Sequence, residues 1–184
     1  LNTEECFKVI DQIAEVNPNA FLILTGGEPL LRPDIYEIIR YAADRKFMVV
    51  LGTNGTMINR VNAEKIKAAG AHGVGISIDS MNPDKHNKFR GVDKAWELSM
   101  DAFDILNEVG VDFLVQMSVS DMNYKEIPEV VEFTEKIGAI AFNLYFLVCT
   151  GRGQGNTDIS NAAYEEALKM LYEQQMKYKG KLMI

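Results

Sequence analysis

Five short apolar runs limit the fold more than any other feature of this chain. They are "FLILTG" from Phe21, "FMVVLG" from Phe47, "GVGISID" from Gly73, "VDFLVQMSV" from Val111 and "AIAFNLYFLV" from Ala139. Short runs rich in Val, Ile, Leu and Phe suit strands covered on both faces. Between them lie helical patterns. Cys6, Val9, Ile10 and Ile13 share one face, as do Ile35, Ile38, Ile39 and Ala42. Leu98, Ala102, Ile105 and Val109 form a third, Ile127, Val130, Val131 and Thr134 a fourth, and Tyr164, Ala167, Leu168 and Leu171 a fifth. Strand starts recur at roughly 26–28 residues, with one longer gap of about 38 that holds the insertion "MNPDKHNKFRGVD". Gly70, Gly110 and Gly138 each stand between a helix and the next strand, where a left-handed residue closes the helix. Asp34 with Glu37 has capping-box spacing, and Ser160 opens the last helix with Ile159 placed to staple onto Tyr164. The alternation predicts a parallel sheet covered by helices on one or both faces. A TIM-type barrel, whole or partial, and a doubly wound sheet both satisfy it. Both hold ligands at the carboxyl ends of their strands.

Composition excludes several other classes. The chain has 184 residues, 47% of them apolar, and a formal charge of −7. That length buries a substantial core in one domain. The acidic balance argues against nucleic acid or a membrane surface as partner, and no apolar run is long enough to span a bilayer. Cys6 and Cys149 are far apart and make no disulfide framework, so a cytoplasmic setting is expected. The chain opens on Leu1 and directly on a helix signal, which reads as a piece of a longer polypeptide.

The strand ends are small, polar or charged. The first ends in Thr25, Gly26, Gly27 and Glu28, and the second in Gly52, Thr53, Asn54 and Gly55. The third ends in Ser77, Asp79 and Ser80, the fourth in Gln116, Ser118, Ser120 and Asp121, and the fifth in Cys149, Thr150, Gly151, Arg152 and Gly153. Taken singly, each has an ordinary reading. Gly-Gly-Glu-Pro and Thr-Asn-Gly are turn signals, and Ser77 with Asp79 could line one polar strand face. His86 reads as a surface residue of the insertion, because no carboxylate or cysteine stands at metal-ligand spacing from it. Cys149 reads as a small buried apolar residue, and Cys6 as core. Together, five polar strand ends describe a concave mouth. Gly26 and Gly27 let a ligand reach the main chain, and Glu28 adds a negative charge, a combination suited to an ammonium group. Thr53, Asn54, Ser77 and Asp79 offer partners for a sugar diol or a carboxylate, and Arg152 a fork of donors. An amino acid joined to a nucleoside satisfies that set.

"TGGEPLLRPD" resembles the GGE motif of radical S-adenosylmethionine (SAM) enzymes. "TNGT", "SIDS" and "HNKFRG" resemble the segments that follow it in the branch of molybdenum-cofactor, quinone-cofactor, haem-biosynthesis and peptide-maturing members. The resemblance runs in order along nearly the whole chain, and "LYFLVCTGRG" most resembles the haem-biosynthesis branch. It implies an α/β fold, a partial (β/α)6 TIM-type barrel. Five parallel strands are then expected here as strands 2–6 of one core domain over residues 1–184, with the first strand missing. It implies that SAM is bound at Gly26, Gly27 and Glu28, with Thr53, Asn54, Ser77, Asp79 and Ser118 around it and Arg90 and Arg152 near its carboxylate or the substrate. It further implies a [4Fe–4S] cluster on a CxxxCxxC loop, which reduces SAM to a 5′-deoxyadenosyl radical for hydrogen abstraction. Such a cluster needs three thiolates, and the two cysteines here form no such loop. The cluster ligands are therefore expected upstream of Leu1, and this chain by itself is expected to be inactive. The implied partners are a small-molecule or peptide substrate, an electron donor such as ferredoxin or flavodoxin, and a second copy at the edge left by the missing strand. Two rival readings keep the barrel: a cluster-free (β/α) barrel enzyme, and a non-enzymatic binding module.

Overall fold

The structure, a computed structural model, describes residues 1–147 and 159–184. Arg152 and Cys149, and with them the fifth strand end, lie outside the described residues. Five strands, β1 (Phe21–Leu24), β2 (Met48–Thr53), β3 (Gly73–Ser77), β4 (Phe113–Val119) and β5 (Ala141–Phe146), pair in parallel in the order β1-β2-β3-β4-β5. This order decides between the two expected folds. Right-handed crossovers that always step in the same direction put every helix on one side of the sheet, whereas a doubly wound sheet reverses its order partway. The sheet is a half-barrel.

The helices are α1 (Thr3–Val16), α2 (Ile35–Asp44), α3 (Arg60–Ala68), α4 (Pro83–Arg90), α5 (Ala95–Val109), α6 (Ile127–Lys136) and α7 (Asn161–Lys177). The main core lies between them and the outer face of the sheet. Val49 and Leu51, Val74 and Ile76, and Phe113, Val115, Met117 and Val119 all belong to it. The concave face is different. Among the described residues, Val50, Leu114 and Ala141 form a small buried apolar cluster there. Phe21 and Ile23 remain 52% and 42% exposed. Gly52 and Gly75 are paired across β2 and β3, and the Gln116 side chain lies over Gly75, where a Cβ would meet its amide at 2.9 Å.

Local chemistry explains most boundaries. Asn2 and Glu5 form a reciprocal capping box on α1, with bonds of 2.9 and 2.8 Å. Asn82 caps α4 ahead of Pro83, and Ser160 caps α7. Gly70, Gly110 and Gly138 all have positive φ, as their positions require. The capping box expected at Asp34 does not form. Its carboxylate instead meets the Arg32 guanidinium and the Thr3 hydroxyl, which tie α1 to the turn before α2 and hold the Asp34 carboxyl at about 2. Two helix faces are also rotated from expectation. α5 buries Ala95, Ser99, Ala102, Phe103 and Leu106 while Leu98 is exposed, and α7 buries Ala163 and Ala167 while Tyr164 and Leu168 are exposed.

Gly55 turns the chain after β2 with φ 82°. A Cβ there would also stand 2.9 Å from Ile76 Cγ2 and 3.2 Å from Ser99 Oγ. Gly55→Ala should therefore destabilise the fold by about 2 kcal/mol, combining left-handed strain with overpacking. Urea unfolding measures this, and a midpoint equal to wild type would refute it.

Candidate active site

Parallel pairing brings all the strand carboxyl ends to one edge, and two hydrogen-bonded clamps organise that edge. The first joins β1 to β2. After β1 the chain passes Gly26 and Gly27, both exposed, where an added Cβ would meet nothing within 4 Å. Pro29 then opens a single 3-10 turn, Pro29–Leu31, and Glu28 caps it by accepting the Leu30 N–H at 3.1 Å. The same carboxylate oxygen accepts the Thr53 hydroxyl at 2.7 Å, and the other accepts the Asn54 N–H at 2.9 Å. Three of about four lone-pair positions are thereby engaged. Glu28 is first a bolt between two strand ends, and the exposed main chain of Gly26 and Gly27 is the part open to a ligand. Thr53 is buried, and its hydroxyl also accepts the Gly55 N–H at 3.2 Å. Asn54 is half-buried. Its Oδ1 accepts from both the N–H and the hydroxyl of Thr56, which fixes the side chain and leaves the Nδ2 amide at the rim.

The second clamp joins β3, β4 and α4 around Asp79, which is fully buried. Its carboxylate accepts the Ser118 N–H at 2.9 Å and the Nε–H of Arg90. Its N–H donates to His86 Nδ1 at 3.2 Å, and its carbonyl accepts Asn123 Nδ2 at 2.8 Å. Asn123 donates also to the Ser118 carbonyl at 2.8 Å, and its Oδ1 accepts the Ser120 N–H at 2.8 Å. Burial pushes the Asp79 carboxyl up from its ordinary value, against the pull of the Arg90 charge and the Ser118 amide. Both Asp79 carboxylate oxygens are thus engaged by donors of the protein itself. Ser77 and Ser118 are half-buried at the strand ends beside it.

His86 is likewise not a surface residue. It is fully buried, edge-on to Trp96 with ring centroids 5.9 Å apart, and its Nε2 has no partner among the described residues. His86 and Arg90 are four residues apart on α4 and reach the same aspartate, an i, i+4 signal that the sequence did carry. Asn123 gave no such signal, since it acts through backbone groups that only the fold brings near. Burial, reinforced by the Arg90 charge, holds the His86 imidazole down at about 4. It is neutral in the folded protein at pH 7, and Asp79, Arg90 and Glu97 are the charges around it. An unfolded histidine titrates near 6.5. The stability tied to neutral His86 is therefore complete above pH 6.5 and lost as pH falls toward 4, by about 3 kcal/mol. In His86→Leu that part of the acid slope should disappear. Urea unfolding at pH 7 and pH 4.5 would show it, and equal slopes in both proteins would refute it.

The strand ends of this (β/α) half-barrel thus present a glycine-bared hairpin bolted by a carboxylate. The family description of the Radical SAM superfamily matches residues 1–134, and the chain belongs to that superfamily, whose members use S-adenosylmethionine and a [4Fe–4S] cluster. It is 40% identical over 182 residues to the AdoMet-dependent heme synthase of Methanosarcina barkeri (strain Fusaro), covering 99% of this chain and 52% of the relative. The Fe-coproporphyrin III synthase of the same organism is 32% identical over 181 residues, covering 96% and 44%. The chain thus spans about half the length of the curated relatives it matches. Among solved structures, Streptococcus suis SuiB bound to S-adenosylmethionine superposes with a TM-score of 0.80 at 17% identity, covering 97% of this chain and 42% of that one.

The two cofactors of the superfamily fare differently here. The open main chain at Gly26 and Gly27 and the fixed amide of Asn54 fit an amino-acid and nucleoside ligand. The cluster does not fit the residues present: no three Cys, His, Asp or Glu side chains converge among the described residues. Cys6 is half-buried on α1 against the core. No helix among the described residues is long and apolar enough to cross a membrane.

Proposed function

We propose that residues 1–184 are the SAM-binding core of a radical SAM enzyme that modifies a haem-type tetrapyrrole. The observation that carries this reading is the Gly26–Gly27 hairpin, held open at the ligand edge by the three bonds Glu28 accepts. In this reading the main chain of Gly26 and Gly27 binds the methionine ammonium, with the remaining lone pair of Glu28 adding negative potential. Asn54 Nδ2, Ser77 and Ser118 donate to the nucleoside and Arg152 binds a carboxylate, while Arg90 is held by Asp79. Thr53 and Asp79 position these groups without touching the ligand. When bound, SAM would supply a carbon-centred radical for hydrogen abstraction, given one electron from a donor outside this chain, with methionine as the other product.

Three thiolates for the cluster come, in this proposal, from a segment outside this chain, and an extra strand from that segment or from a second copy pairs with the outer edge of β1. Substrate identity rests on likeness to the two tetrapyrrole synthases, with a peptide substrate as the lesser option. A cytoplasmic location and an electron donor of ferredoxin or flavodoxin type accord with the oxygen-sensitive chemistry. The test uses the polypeptide that contains this chain with the flanking residues its gene supplies, reconstituted anaerobically with iron and sulfide. It should bind about four irons and, with dithionite, convert SAM to methionine and 5′-deoxyadenosine. A reconstituted polypeptide that takes up no iron and leaves SAM intact would favour a cluster-free barrel or a binding module.

A further inference from the structure

The gap that sets α4 apart also builds a second recess, distinct from the Gly26–Glu28 hairpin. It holds about 330 Å³ between α4 and the loop after β4. Lys85, Lys88 and Phe89 stand at i, i+3 and i+4, one face of α4, and Met122 faces them across the recess. The floor is Asp79 and Asn123, whose polar groups are already engaged in the second clamp. Charge bookkeeping then leaves one group over. Arg90 is paired with Asp79, and Lys85 Nζ is paired at 2.9 Å with Glu126. Lys88 is exposed and has no ion pair among the described residues. A chain of net charge −7 thus presents an uncompensated ammonium above an apolar wall of Phe89 and Met122.

We infer that this recess is a carboxylate subsite for the substrate, taking one acid-bearing arm of a flat apolar ring system at Lys88. The inference rests on the tetrapyrrole reading above. Its volume is at the small end for a ligand pocket, enough for an arm or an edge rather than a whole macrocycle. The amino-acid half of SAM is a less suitable occupant. Its proposed place is at the ends of β1 and β2, whereas the recess opens at the ends of β3 and β4, on the far side of the β2–β3 pairing.

The experiment titrates the reconstituted, flank-containing polypeptide with coproporphyrin III, with its tetramethyl ester, and with SAM, reading porphyrin or tryptophan fluorescence. Lys88→Glu should weaken coproporphyrin III by about tenfold or more, and Lys88→Arg should stay within about twofold of wild type. Both variants should bind the ester and SAM as wild type does. Equal coproporphyrin III affinity in wild type and Lys88→Glu overturns the subsite while leaving the tetrapyrrole reading standing. Loss of SAM binding, or an equal loss for the uncharged ester, overturns it as well, because the lysine would then serve the nucleoside or the fold. Failure of the wild type itself to bind coproporphyrin III overturns the tetrapyrrole reading and the subsite together.

Discussion

Glu28→Ala is expected to weaken SAM binding by about a hundredfold and to destabilise the fold by about 3 kcal/mol. Three donors lose their acceptor at once: the Leu30 N–H, the Asn54 N–H and the hydroxyl of Thr53. Water can reach part of this half-buried position, but Thr53 is 4% exposed, and its hydroxyl is left bonded only through the Gly55 N–H it accepts. An unmade bond at a buried group costs about 1–3 kcal/mol, so the sum is set mostly by Thr53 and Asn54. The binding loss has a separate cause. With the bolt removed, the ends of β1 and β2 no longer hold a fixed relation, and the glycine main chain must be ordered anew by the ligand. Glu28→Gln distinguishes geometry from charge. It keeps one acceptor oxygen, but its amide nitrogen must face either the Asn54 N–H or the Leu30 N–H, donor against donor. Its stability loss should be about half that of alanine. Calorimetric SAM titration of the reconstituted polypeptide and urea unfolding measure the two effects. An alanine variant with wild-type affinity would show that the hairpin is not the binding element.

The contrast between Glu28 and Asp79 shows how far the sequence was legible. Strand period, glycine placement and the polar strand ends follow from local chemistry, so the five strands and their common ligand edge could be read in advance. The repeat alone did not distinguish stepping onward from turning back, and the sequential strand order came from the resemblance to a partial barrel. Both carboxylates stand just past a strand in polar, turn-like surroundings, and both read as ligand groups. Which way each side chain turns depends on partners 11 and 39 residues away from Asp79 and 25 and 26 residues away from Glu28. His86 was misread for a related reason. Its insertion is polar in composition, but Trp96 and the Asp79 amide close over the ring once α4 folds back on α5.

The Asp79–Arg90 pair should produce the largest loss of stability, and with a particular pH signature. Arg90→Ala leaves a carboxylate with 0% side-chain exposure facing no cation among the described residues, since His86 is neutral. Breaking a buried pair from one side costs about 3–5 kcal/mol. Arg90 itself is 24% exposed, so removing the other partner is milder: in Asp79→Asn water can solvate the guanidinium. The sign follows from the direction of the Asp79 shift. Burial already raises its folded-state carboxyl above the unfolded value, so the protonated form is favoured by folding. Stability from such a group is present below the unfolded value and is lost as pH rises through the folded one. Arg90 opposes that shift, and without it the folded value climbs further. Arg90→Ala should consequently be most destabilised at neutral pH and should approach wild type as the pH is lowered toward the unfolded value of Asp79. The double variant Arg90→Ala with Asp79→Asn should recover most of the loss at pH 7, because the amide keeps an acceptor for the Ser118 N–H without an unpaired charge. Urea unfolding of the four proteins at pH 7 and pH 5 completes the cycle. If the double variant is no more stable than Arg90→Ala, the guanidinium acts by packing against Phe89 and not by compensating Asp79.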